Sequence, residues 1–234
     1  MRLQFAPKVL AFDTASARAH VVLMEGRDVA GELRMNAPET HSTVLMSSID
    51  FLLGRLGWTL RDVALVVAGT GPGSFTGIRI GMATALGIAQ TLSIPMAGVS
   101  SLDAMAHQVA STKGRVAVLL DARRSQVFYR EYVCGLGRIR PVQKPMLLSV
   151  SDLEHCLAGR HLYIVGDVRI FRSERAEAPA SGWPRWIDAD LFLADDMARL
   201  AMSKRRAWRS GEFLTMEPLY IRPPDALKKR PRKR

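Results

Sequence analysis

The sequence predicts an α/β protein of two lobes, each a mixed sheet flanked by helices, with the second lobe a shorter copy of the first. Two observations carry that expectation. One is a pattern that occurs twice: a short apolar strand ending in aspartate, a small polar turn, a second strand, a hairpin and a third strand. It begins at residues 9–13 and again at residues 116–121, so Asp13 and Asp121 hold equivalent places. The other is the stretch Gly69-Thr-Gly-Pro-Gly-Ser-Phe-Thr-Gly-Ile-Arg-Ile-Gly81. An apolar run, residues 63–68, leads into it, and an apolar segment rich in small residues, 82–92, leads out. This reads as buried strand, glycine-rich turn and helix.

In order, residues 9–13 form the first strand, 19–24 the second and 29–35 the third, with a hairpin turn at Glu25, Gly26 and Arg27. Thr40 or Ser42 starts a helix whose apolar residues Leu45, Ile49, Leu52, Leu53 and Leu56 fall at helical spacing, and Gly57 ends it. After the strand at 63–68, Ser74 or Thr76 caps the next helix. Residues 94–99 are a fifth strand, 101–109 a third helix and 111–115 a polar linker. The second half repeats the scheme with strands at 116–121, 126–134 and 138–142. Ser151 caps a short helix at 152–157; residues 161–165 are a strand and 172–184 a loop. Residues 189–206 form a helix with Leu193, Met197, Leu200 and Ala201 inward. The expected division is a first lobe at 1–110 carrying partner-binding helices, a second at 116–222, and a basic, disordered tail at 223–234.

Composition narrows the function classes. A hydrophobic share of 48% over 234 residues supports a proper core, and no apolar run reaches the length of a membrane span. No signal-peptide pattern opens the chain, and the two cysteines, Cys134 and Cys156, suggest neither a disulfide framework nor a metal site. A reducing cytoplasm is the expected compartment. The net charge of +11 is uneven: the last thirteen residues hold seven basic residues and one acid. Such a tail binds nucleic acid without sequence preference or serves solubility.

The glycine-rich stretch is a poor phosphate cradle. A P-loop needs Gly-Lys-Ser/Thr, and no lysine occurs between Lys8 and Lys113; Gly69, Gly71 and Gly73 are wrongly spaced for a dinucleotide fingerprint. Gly77, Gly81, Ala85 and Ala89 recur four apart, and each helical glycine costs about 1 kcal/mol against alanine. Close approach of another backbone would offset that, either within this lobe's own core or at a helix–helix interface. Val44 and Met46 widen the apolar face of the preceding helix beyond one stripe. If the line is an interface rather than core packing, its residues are Val44, Met46, Ile49, Gly77, Ile78, Gly81 and Ala85.

A duplicated lobe with Asp13-Thr14 after its first strand resembles the fold shared by actin, hexokinase, acetate kinase and Hsp70 chaperones. In that superfamily the hairpin after such an aspartate touches nucleotide phosphate and the second-half aspartate helps hold the metal. The resemblance thus implies a vestigial or weak nucleotide site at Asp13, Thr14, Ser16 and Asp121. More specifically, the chain resembles the TsaB (YeaZ) family. The matching residues are Asp13-Thr-Ala-Ser16, Thr40-His-Ser42, Gly71-Pro-Gly-Ser-Phe-Thr-Gly-Ile-Arg-Ile-Gly81, Gly98-Val-Ser-Ser101, Leu120-Asp-Ala-Arg123 and Glu217-Pro-Leu-Tyr-Ile-Arg222. They run in the family's order from about Val9 to Arg222.

That family belongs to the bacterial machinery that forms N6-threonylcarbamoyladenosine beside the anticodon of tRNAs reading A-starting codons. Its catalytic relative, TsaD, carries a His-x-x-x-His metal pair whose positions fall here on Ser101 and Met105. Neither replaces an imidazole ligand. None of His20, His41, His107, His155 and His161 stands four residues from another. The resemblance implies a non-catalytic scaffold that pairs with TsaD, joins the TsaE ATPase in a larger complex, and forms a homodimer alone. It implies contact with tRNA through the complex, and weakly through the tail. ATP and metal are expected on the partners and none on this chain. Two other classes compete: a nucleotide-dependent phosphotransferase of the actin–hexokinase superfamily, and a peptidase. For a peptidase there is no His-Glu-x-x-His helix and no recognisable Ser-His-Asp arrangement, and His41 has no identifiable nucleophile beside it. Arg123 and Arg124 read as a solvated turn.

Overall fold

The computed structural model describes residues 6–16, 18–36, 41–166, 184–204 and 218–221. The first half runs β1 (Lys8–Asp13), β2 (Arg18–Glu25), β3 (Asp28–Asn36), α1 (His41–Leu56), a short 3-10 turn (Leu60–Asp62), β4 (Val63–Gly71), α2 (Phe75–Leu92), β5 (Met96–Ser100) and α3 (Ser101–Gln108). The second runs β6 (Gly114–Asp121), β7 (Gln126–Gly135), β8 (Arg138–Pro141), β9 (Met146–Ser149), α4 (Val150–Leu157), β10 (Tyr163–Gly166), β11 (Arg185–Asp188) and α5 (Ala194–Ser203).

The duplication is visible in the sheets. The first has the order β3-β2-β1-β4-β5, antiparallel through β1 and parallel beyond it. The second has the order β8-β7-β6-β10-β11, again antiparallel through β6 and parallel beyond it, with β9 also paired to β7. β1 and β6 thus occupy the same central place. Both read as continuous apolar runs because both their faces are covered. β3, at an edge, alternates between exposed and half-buried residues instead.

Five layers result. α1 and α2 cover one face of the first sheet through Leu45, Ile49, Ile88 and Ala89, packed on Leu10, Phe12, Val66 and Ala68. Its other face, with Val9, Val22, Leu65 and Val67, shares one core with α3, α5 and the facing side of the second sheet. α4 covers the far side of the second sheet through Leu153 and Leu157. Burying a leucine or valine stabilises by about 1.5–3 kcal/mol, so the central layer ties the halves together.

Several details depart from the expectations. β5 starts at Met96, since Pro95 cannot donate to a ladder; its carbonyl instead accepts Val66 N–H at 3.1 Å. Ser149, not Ser151, caps α4, its hydroxyl accepting Asp152 N–H at 3.1 Å. The C-terminal helix begins at Ala194 rather than 189, because Asp190 turns the chain by accepting Phe192 N–H at 2.9 Å. β9 and β11 were not expected. The division at 110/116 is crossed by α5, which packs on the first sheet, and by Leu219, whose N–H donates to Thr70 O at 2.9 Å. The loop at 172–183 and the tail at 222–234 lie outside the described residues.

Candidate functional site

Asp13 ends β1 with 1% of its surface exposed. Its Oδ1 accepts Ala15 N–H at 3.0 Å, while Oδ2 has no hydrogen-bond partner among the described residues. Burial pushes its carboxyl up to about 6, against the opposing backbone hydrogen bonds of Ala15 and Thr14. Thr14, 2% exposed, donates its hydroxyl to Gly77 O at 2.7 Å. Ser74 N–H donates to Ala15 O at 2.6 Å. Ser16 closes the turn locally, its Oγ donating to Arg18 O at 3.0 Å and accepting Arg18 N–H at 3.1 Å.

The first turn of α2 therefore sits directly on the β1–β2 turn. A side chain at Gly73 or Gly77 would run into the carbonyls of Ala15 or Thr14, and one at Gly81 would lie 2.5 Å from Thr14 Oγ1. Glycine is used because two backbones touch. Ser74 caps the helix, accepting Gly77 N–H at 3.2 Å. In this packing Asp13 and Thr14 are both buried. Asp121 differs from its sequence equivalent: it is exposed, and its Oδ1 accepts Arg123 N–H at 2.6 Å in a turn with three successive left-handed residues, Arg123, Arg124 and Ser125.

Ser101 and Met105, at the positions of the relative's histidine pair, are 1% and 0% exposed. Met105 belongs to the central apolar layer, and Ser101 Oγ has no partner among the described residues. The residues present do not fit a metal there. Elsewhere a cleft of about 880 Å³ lies between β5, α3 and the β7–β8 hairpin, lined among others by Ser100, Asp103, His107, Arg138 and Lys204. Asp103 is engaged by Arg130 at 2.9 Å and Tyr132 at 2.6 Å, and His107 by Asp196 at 2.7 Å.

The expected interface set divides. Ile49, Gly77, Ile78, Gly81 and Ala85 are buried inside this chain, so the glycine line packs on the chain's own turn and sheet. Val44 is half-buried and Met46 is 40% exposed. What faces outward on α1 is Met46 and Phe51, the latter 57% exposed, with Asp50, Gly54 and Arg55. On α2 it is Thr76, Arg79, Ala83, Gly87 and Gln90. Apart from Met46, these outward residues were outside the expected set, because inward and outward stripes both carry small residues four apart. The signal that separates them is the apolar run Ile78, Ala85 and Ile88, which marks the inward side. A side chain at Gly54 or Gly87 would meet nothing within 4 Å, so both lie open.

Known proteins place this architecture. The family described as "TsaD: tRNA N6-adenosine threonylcarbamoyltransferase" matches residues 35–168, more than half of the chain. At the level of fold, the chain is similar to an activator of 2-hydroxyisocaproyl-CoA dehydratase from Clostridium difficile, with TM-score 0.50 and 11% identity over 86% of this chain and 98% of that one. The class is the duplicated actin/hexokinase-like fold. Within it, the tRNA threonylcarbamoyladenosine biosynthesis protein TsaB of Haemophilus influenzae is 33% identical over 237 residues, covering 95% of this chain and 97% of the relative. YeaZ from Pseudomonas aeruginosa superposes with TM-score 0.75 at 25% identity, covering 92% of this chain and 99% of that one. The chain belongs to the TsaB (YeaZ) family, whose named members take part in tRNA threonylcarbamoyladenosine biosynthesis.

Proposed function

We propose that this chain is a non-catalytic subunit that binds TsaD through the outward faces of α1 and α2, within the complex that forms N6-threonylcarbamoyladenosine in tRNA. One observation carries the reading: Met46 and Phe51 on α1, and Ala83 and Gly87 on α2, are left exposed by the fold. A surface of this kind marks an interaction site. Helices with glycine and alanine outward admit a partner helix at close range, gaining dispersion contacts along the line of approach. The chemistry falls to the partner, since the sites where a relative holds metal or nucleotide are filled here by Met105 and by the docking of α2 on Thr14. TsaE and tRNA join through the assembled complex.

Reconstitution tests this. The purified chain with tRNA and a threonylcarbamoyl donor should give no modified tRNA, and adding TsaD should restore it. Gly87→Leu and Phe51→Asp should abolish co-elution with TsaD while the melting curve stays intact. Modification by this chain alone, or full co-elution of both variants, would refute the reading.

A further inference from the structure

Arg79 stands on the outward stripe of α2, two residue turns above Gly87, and its guanidinium is held in one place. The guanidinium carbon lies 3.7 Å from the centroid of the Phe75 ring and 6.0 Å from that of Tyr220. Nε donates to Tyr220 Oη at 3.1 Å. The two rings pack on each other at 4.9 Å. Tyr220 is itself anchored, because the neighbouring Leu219 N–H donates to Thr70 O at the end of β4, at 2.9 Å. Among the described residues no carboxylate comes within ion-pair reach of Arg79.

The Nε of Arg79 is taken by Tyr220, and no described residue engages its two terminal nitrogens, which suit a planar, two-pronged acceptor. Holding it in advance lowers the entropy lost when that acceptor arrives. We infer that Arg79, positioned by Phe75 and Tyr220, is the polar anchor of the α1–α2 face and receives a carboxylate from a helix of the partner protein. The inference rests on the partner-binding reading above and adds the chemistry of the contact. The charge of the face selects the occupant. The exposed charged residues of α1 and α2 are Arg55, Arg79 and Asp50, a net positive set that an acidic partner helix complements. The segment 218–221, far from both helices in sequence, thereby becomes part of the recognition surface.

The test measures association and dissociation rates of the full chain with TsaD from the same source, at several salt concentrations. Arg79→Ala should weaken binding by about tenfold or more and flatten the salt dependence of the on-rate. Arg79→Lys and Tyr220→Phe keep the charge, so the on-rate and its salt dependence should hold while dissociation accelerates several-fold. A merely structural Tyr220 would lower the melting temperature and leave the dissociation rate alone. Wild-type rates for all three variants overturn the inference. So does Arg79→Ala that spares TsaD but weakens binding of a fluorescein-labelled unmodified tRNA, or that changes only self-association in sedimentation. Gly87→Leu keeps the two ideas apart. If it abolishes TsaD binding while the Arg79 variants do not weaken it, only this inference fails; if it too binds normally, the interface itself is misassigned.

Discussion

Two buried titratable side chains, Asp13 and His20, push stability in opposite directions with pH. Asp13 has a folded-state value of about 6, above the roughly 3.9 of an unfolded aspartate. Between those values the folded chain holds a proton that the unfolded chain has lost, so this group makes stability fall as pH rises from about 4 to 6. Above that range the penalty of a buried ionised carboxylate is fully present. Asp13→Asn keeps the acceptor for Ala15 N–H and removes the charge. It should stabilise by about 1–3 kcal/mol at pH 7.5 and by much less at pH 4.5 in urea unfolding; equal effects at both would contradict this origin. His20 works in the opposite sense. It is fully buried; its Nδ1 accepts Ala194 N–H at 2.9 Å at the start of α5, and its Nε2 donates to Glu32 Oε2 at 3.1 Å. Burial lowers its pKa, Glu32 and Asp195 pull it up, and Arg34 adds to the lowering. Unfolded histidine binds its proton below about 6.5 and the folded one resists, so stability falls with acid below that pH. A protonated His20 also loses its acceptor role at the helix terminus. His20→Gln should be less stable than wild type at pH 7.5 yet lose less between pH 6.5 and 5.

At the scale of the element, α2 has two small-residue lines with different duties. The inward line, Gly77 and Gly81, is set by contact with Thr14. Gly77→Ala pushes a methyl into the Thr14 carbonyl, and overpacking of this kind costs about 1–3 kcal/mol or more. Gly81→Leu should unfold the first lobe rather than merely weaken an interface. The outward line, Ala83 and Gly87, meets open space, and Gly87→Ala should stabilise the isolated chain by about 0.5–1 kcal/mol through helix propensity alone. Thermal melts of Gly77→Ala and Gly87→Ala, side by side, should move in opposite directions.

At the scale of the molecule, the two sheets share a central layer in which α5, from the end of the described chain, covers the first sheet. A fragment ending at residue 110 would expose Val9, Val22, Leu65 and Val67. It should lack near-UV circular dichroism and bind a hydrophobic dye, although its sequence spans a whole lobe. A sharply melting, dye-free fragment would show that α5 is dispensable to that lobe.

The duplication was legible in the chain itself. Buried strands write themselves as unbroken apolar runs, and the aspartates closing β1 and β6 mark the repeat, so the order of the longer elements could be read off with boundaries a few residues loose. A cap at Ser74 or Thr76, which the structure resolves to Ser74, and serine and methionine at 101 and 105 are equally local facts. The short strands β9 and β11 were not legible, because four residues with mixed exposure carry no period. Nor was the orientation of α2: a line of glycines signals close approach, and says nothing about whose backbone approaches. Only packing decided that Gly77 and Gly81 serve Thr14 while Ala83 and Gly87 look outward. Likewise Asp13 and Asp121 are alike in sequence yet one is buried and the other solvated, because α2 docks on the first turn while Asp121 stands in solvent at the second. What the sequence by itself determined is therefore the longer elements and their repeat, which follow from interactions within a few residues. The tertiary structure alone decided which faces are buried inside and which stay exposed, since that depends on contacts such as His20 with Ala194 and Tyr220 with Arg79, between residues more than a hundred positions apart.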